Sequence, residues 1–231
     1  MKLSETTQPT AGVDKVAIIN WLISVGITDY TIRDNGIVDV DGDVAIQSNK
    51  IRSFPFQFGH VSGGFYCNYN ELTSLAGAPQ SVGRDFDCGV NKLTSLAGAP
   101  QSVGGSFYCG NNQLTSLVGA PQSIGLSFYC GNNELTSLVG APQSIGGGFS
   151  CRRNKLTSLT GAPQLVCGEF YCRGNPQLKI LPIFNIKGIT EIYHEAGQIL
   201  NKYYKPDGKG DIIAAQDELI DAGFGAIARM K

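Results

Sequence analysis

Charge is scarce in this sequence. Asp, Glu, Lys and Arg make up 16% of the 231 residues, and the formal net charge is −1. That excludes the basic stripe on which a generic polyanion binder depends. Histidine is nearly absent: only His60 and His194 occur, far apart in the chain. A Ser/His/Asp or Cys/His catalytic set would have to assemble across the body of the chain, so no enzyme is expected. No apolar run reaches the roughly 18 residues of a membrane span. The opening MKLSETTQPTAGVDK has no apolar h-region, so no signal peptide is expected. There is no N-x-Ser/Thr sequon, and the cysteine count is odd, at seven. These features point to a reducing, cytoplasmic setting.

Two local motifs fail on spacing. Asp39, Asp41 and Asp43 in DVDGD have their glycine at the fourth position of the run, and Lys50 stands where a calcium loop has its closing Glu. The GGG run at 146–148 lacks the Lys-Ser/Thr of a phosphate-binding loop. No metal or cofactor is expected.

What the chain has in abundance is repetition. Six cysteines, Cys67, Cys88, Cys109, Cys130, Cys151 and Cys172, follow one another at intervals of 21 residues. Aligned on them, Phe65 to Phe170, Asn70 to Asn175, Leu72 to Leu156, Leu75 to Leu159 and Pro79 to Pro163 recur in register. Val44, Ile46, Asn49, Ile51, Phe54 and Val61 extend the series upstream. Seven units therefore run from about Asp43 to Pro182.

Each unit reads F-x-C-x-x-N-x-L-x-x-L-x-G-A-P, which is similar to the leucine-rich-repeat pattern L-x-L-x-x-N-x-L-x-x-L. The resemblance implies an α/β repeat solenoid with a parallel β-sheet on one side and little helix on the convex side. Elementary patterning agrees. F-x-C alternates as a short strand does, and stacked units bury an apolar face that a single unit cannot. The Asn column can satisfy backbone groups of the turn that leaves the strand. The G-A-P-Q-S-V-G segment has too much Gly and Pro for a helix, so an extended return is expected. At about 4.8 Å per strand the repeat body is about 30–35 Å long.

The cysteine column reads as packing. Its members would stand about 5 Å apart in a line, whereas a zinc site needs four ligands converging on one point. Disulfides between adjacent parallel strands would be strained. A buried free thiol behaves as a small hydrophobe. Cys167 stands outside the column, where Gly83, Gly104, Gly125 and Gly146 stand in other repeats. It is expected to be more exposed and is the one thiol with a potential for reactivity.

Three regions follow. Residues 1–42 form an N-terminal cap: a helix over Val13–Ser24 stopped by Gly26, then a hairpin turning at Asn35-Gly36. Residues 43–182 are the solenoid. Residues 183–231 form a C-terminal helical cap, or alternatively a docking element. Its expected parts are an amphipathic helix over Ile189–Tyr204 and a second helix from an Asp211 N-cap to Ala222, stopped by Gly223.

Function is sought on the outward face of the sheet. The position between Phe and Cys reads Tyr66, Asp87, Tyr108, Tyr129, Ser150, Tyr171 down the stack. The position after Cys ends in Arg152 and Arg173, and the next reads Tyr69, Val90, Asn111, Asn132, Arg153. Asp85 stands before Phe86. Tyr and Arg are enriched at interface hot spots. The expected binding residues are therefore Tyr66, Tyr69, Asp85, Asp87, Tyr108 and Asn111, continuing with Tyr129, Asn132, Arg152, Arg153, Tyr171 and Arg173. A protein partner is the first reading. A nucleotide or other small anionic ligand on the Tyr/Arg face is the second. A structural or assembly role, with tyrosines pairing along the sheet, is the third.

The unit N-x-L-T-S-L-x-G-A-P-x-x-V-G-G-x-F-x-C, the V-D-V-D-G-D-V hairpin and the tail Q-x-E-L-I-D-A-G (Gln216–Gly223) resemble short leucine-rich-repeat proteins of tailed phages and bacteria. That resemblance implies a protein that binds and disables a host factor, a defence protein included, in the host cytoplasm.

Overall fold

A computed structural model describes residues 13–228. The reading of the first twelve residues as no signal peptide lies outside the described residues.

Every repeat makes one coil of a parallel-strand solenoid, and every coil carries two short strands. The first is the F-x-C segment. Val44–Ala45, Phe65–Tyr66, Phe86–Asp87, Phe107–Tyr108, Phe128–Tyr129, Phe149–Ser150, Phe170–Tyr171 and Ile192–Tyr193 form one eight-stranded parallel sheet. The register is one coil per step, Phe107 opposite Phe128 and Tyr108 opposite Tyr129. The second strand lies in the return, which is extended as expected and also hydrogen-bonded coil to coil. Phe58–Val61, Ser81–Val82, Ser102–Val103 and Ser123–Ile124 form a second parallel sheet, and Ser144–Ile145 pairs with Leu165–Val166 further on. The Gly-Ala-Pro corner between the two sheets needs glycine. Gly119 has φ +93°, and a Cβ there would lie 2.9 Å from the carbonyl carbon of Leu96.

Between the sheets the core is a set of columns. Phe65, Phe86, Phe107, Phe128 and Phe149 stack with centroids 5.4–5.8 Å apart. The six column cysteines and the paired leucines fill the remainder and are buried. Burial pushes these thiols well above their ordinary pKa, that of Cys151 to about 12. The asparagines form a ladder that satisfies the strand-leaving turn. Asn112 Nδ2 donates to Cys109 O at 3.2 Å in its own coil and to Cys88 O at 3.0 Å in the preceding one. Its Oδ1 accepts from Leu93 N at 3.0 Å. Identical side chains at identical spacing repeat these bonds from Asn70 to Asn175.

The N-terminal end is closed as the cap reading requires. Helix α1 (Lys15–Ser24) starts on Asp14, whose side chain accepts from Ala17 N. It ends at Gly26, with φ +77° and the Ile27 N–H reaching back to Leu22 O. Tyr30–Ile32 and Val38–Val40 pair antiparallel and extend the return sheet. The hairpin turn differs from the two-residue Asn35-Gly36 turn expected. Gly36 N–H donates to Arg33 O, Asp34 and Asn35 are central, and only Gly36 has positive φ. The Asn35 side chain accepts from Ile37 N, which holds this longer loop.

At the C-terminal end the helix expected over Ile189–Tyr204 is shorter than its periodicity implied. Ile192–Tyr193 is a strand, paired with Phe170–Tyr171, and helix α2 covers only Gly197–Tyr203. The open edge of the last Phe strand takes up the segment, and Ile189 and Ile192 are buried there. The sheet thus runs one strand past Pro182. Helix α3 (Ile212–Leu219) starts on Asp211 as expected, and a wider turn over Ile220–Phe224 contains Gly223 at φ +85°.

Candidate functional site

On the outward side of the eight-stranded sheet lies a groove of ≈ 390 Å³. It crosses six coils, from Asn68 and Tyr69 to Tyr171, a span of about 24 Å at the usual strand spacing. Its floor is glycine. Gly89, Gly110 and Gly131 follow the buried cysteines and leave the backbone bare. One wall is the column Asp87, Tyr108, Tyr129, Ser150 and Tyr171. The other is Tyr69, Val90, Asn111 and Asn132.

The second wall has an unusual backbone. Ser48, Tyr69, Val90, Asn111, Asn132 and Arg153 all have φ between +51° and +62°, and Gly174 continues the column at +76°. This left-handed turn is what lets the Asn ladder, one residue further on, point inward. Asn tolerates it best among non-glycine residues, and Val90, being β-branched, tolerates it worst.

Tyr108 and Tyr129 stack with centroids 4.8 Å and planes 8° apart. Half-burial raises the Tyr108 pKa above its ordinary value. Asp87 Oδ1 accepts from Gly89 N at 2.8 Å, and burial raises its carboxyl pKa. The Oδ1 of Asn68 is buried without a hydrogen-bond partner at the same end. At the opposite end Arg152 is exposed and leans over Gly131, whose Cβ, if present, would lie 2.8 Å from Arg152 Cγ.

Eight of the twelve expected residues line this groove: Tyr69, Asp87, Tyr108, Asn111, Tyr129, Asn132, Arg152 and Tyr171. Four do not. The Tyr66 ring folds over Gly64. Asp85 is engaged in the fold, its Oδ1 accepting from Ser106 N at 2.6 Å in the next coil. Asp43 does the same for Gly64, and Ser127 Oγ for Gly148, so the position before Phe is a ladder of side-chain acceptors. Arg153 leans the other way from Arg152, over Gly174. Arg173 is exposed beyond the groove lining.

Tyr193 was not legible as a site residue. It extends the tyrosine column, stacking on Tyr171 at 4.4 Å and 13°. Its hydroxyl donates to Glu191 Oε2 at 2.7 Å, which with burial pushes its pKa up to about 12. The signal missed was its register: Ile192-Tyr193 repeats F-Y after 22 residues instead of 21.

Among the described residues no group of three His, Cys, Asp or Glu side chains could hold a metal ion. No described helix is long and apolar enough to cross a membrane. Cys167 is exposed and free. Compared with protein-family models, with curated proteins and with solved structures, the chain matches none.

Proposed function

We propose that this chain is a non-enzymatic binding protein that holds a segment of a protein partner in the groove of its outward sheet. The observation that carries the reading is the groove itself. It is glycine-floored, aromatic along one wall, and long enough for an extended segment of about seven residues. Its ends differ in charge, with Asp87 at one and Arg152 at the other. A protein segment carries side chains of both signs and suits such a groove. A polyanion would meet Asp87 unfavourably. The resemblance to phage repeat proteins makes a host factor the partner to look for first.

The test is capture of partners from a bacterial lysate by the wild-type chain and by Gly110→Arg. Arginine stands in that column at Arg152 and Arg173. A Cβ at Gly110 would lie 3.0 Å from Gly131 O, so the melting temperature of the variant is measured beside the capture to separate an obstructed floor from a lost fold. A single stoichiometric partner lost in Gly110→Arg is the expected outcome. No partner sensitive to that change would sink the reading.

A further inference from the structure

The tyrosine column of the groove has a gap one ring wide. Tyr108 stacks on Tyr129, and Tyr171 stacks on Tyr193. Ser150 stands between the two pairs. Adjacent strands are about 4.8 Å apart, so the strands that carry Tyr129 and Tyr171 lie about 9.6 Å apart, with only Ser150 between them. A planar group inserted midway would lie about 4.8 Å from each, which is the spacing the tyrosines keep among themselves. Serine is too short to fill that space. Ser150 is 5% exposed, and its Oγ has no hydrogen-bond partner among the described residues. Arg152, on the neighbouring outward position, makes no ion pair among the described residues.

We infer that the slot over Ser150 receives one aromatic side chain of the bound segment, completing a continuous five-ring stack, while a carboxylate of that residue or its neighbour meets Arg152. Offset stacking against two flanking rings rewards a planar group over an aliphatic one of equal size. The unpartnered Ser150 Oγ and the Arg152 guanidinium reward a polar or anionic edge. The groove continues past Tyr129 for three more coils to Tyr69. A peptide leading away from its aromatic residue fills that length, whereas a mononucleotide leaves it empty. The inference rests on the binding reading of the groove and adds the chemistry of the partner.

The experiment titrates the full chain with N-acetyltyrosine, N-acetyltyrosinamide, N-acetylleucine and adenosine monophosphate at millimolar concentration, followed by amide chemical shifts. N-acetyltyrosine should bind saturably with shifts centred on Ser150. The amide should bind about threefold more weakly, as befits one exposed ion pair, and N-acetylleucine should not bind. Ser150→Tyr, which places in the gap the residue its column carries at Tyr129 and Tyr171, should melt at or above the wild-type temperature and lose the binding. Arg152→Gln, at an exposed position that does not endanger folding, should erase the preference for acid over amide. Absence of tyrosine binding, its survival in Ser150→Tyr, or equal or tighter binding of the nucleotide would each overturn the inference. Lysate capture then separates the two readings. Partner binding lost in Gly110→Arg but intact in Ser150→Tyr leaves the groove reading standing and removes the slot. Absence of any Gly110→Arg-sensitive partner removes the groove reading.

Discussion

Asn201 occupies the place of the next β-strand beside Ile192. Its Oδ1 accepts from Ile192 N at 2.8 Å, and its Nδ2 donates to Ile192 O at 3.0 Å. One side-chain amide on α2 thus satisfies both outward backbone groups of the last strand and closes the C-terminal edge of the eight-stranded sheet.

Asn201→Leu should therefore destabilise the chain by about 1–3 kcal/mol, the cost of leaving a buried donor and acceptor unpaired. It should also promote association through the opened edge. Denaturant unfolding and light scattering at several concentrations measure the two effects. Unchanged values in both would show that the Asn201 bonds contribute nothing.

Val90 holds φ +52° in a column where Asn111 and Asn132 hold +55°. A β-branched side chain is strained there by about 1–2 kcal/mol. Val90→Asn should stabilise the chain by about 1 kcal/mol, the relief of strain less the lost partial burial. A midpoint of unfolding that falls instead of rising would mean that the Val90 side chain packs better than its backbone suffers.

His194 occupies in the last coil the place that the cysteines hold in the others, and it is 3% exposed. Its Nδ1 accepts from Ala196 N at 3.0 Å. Burial lowers its pKa below the ordinary 6.5, against the raising effect of Glu195, and Arg173 adds to the lowering. A depressed histidine pKa means that the unfolded chain binds the proton more tightly than the native one. Stability should be fully present above pH 6.5 and fall as the pH drops below it toward the native pKa. Glu195, whose carboxyl is also held low, adds a further loss below pH 4.5. His194→Cys, which restores the column residue, should flatten the first part of the profile. Thermal melts across this pH range read the difference, and identical profiles would rule out His194 as its source.

The thiols should divide sharply. Cys167 is exposed, and the other six cysteines are buried with raised pKa values. A thiol-specific reagent should modify one cysteine rapidly in the native chain and all seven after denaturation. Mass spectrometry should place the fast site at Cys167. Rapid modification of a column cysteine would contradict the packing of the core.

The period of 21 residues was sufficient to predict the coil, its inward columns and the direction of its strands. The physical reason is that a repeat needs only its neighbours: identical side chains at identical spacing bury one another and repeat the same backbone bonds. The stacking of Phe107 on Phe128, the burial of Cys109 and the ladder through Asn112 follow from that rule alone. The Asp211 cap was legible for a different reason: an N-cap is a local contact.

What lay outside the repeat was settled by tertiary contacts. Residues 189–204 carry a helical pattern, yet Ile192 and Tyr193 joined the sheet because an unpaired edge offered hydrogen bonds that a helix could not take up. The outward columns were readable as letters and not as directions. Asp85 and Asp87 look alike in the sequence, but one bonds Ser106 N in the next coil and the other opens into the groove. Arg152 and Arg153 are adjacent and lean opposite ways because glycines stand on opposite sides of them. Ser150, like Asp87, reads as a missing tyrosine in a column of six outward positions. Only the stacking of its neighbours on either side turns that omission into a slot, since the shape of an outward side chain depends on which coil it leans toward and no local pattern specifies that.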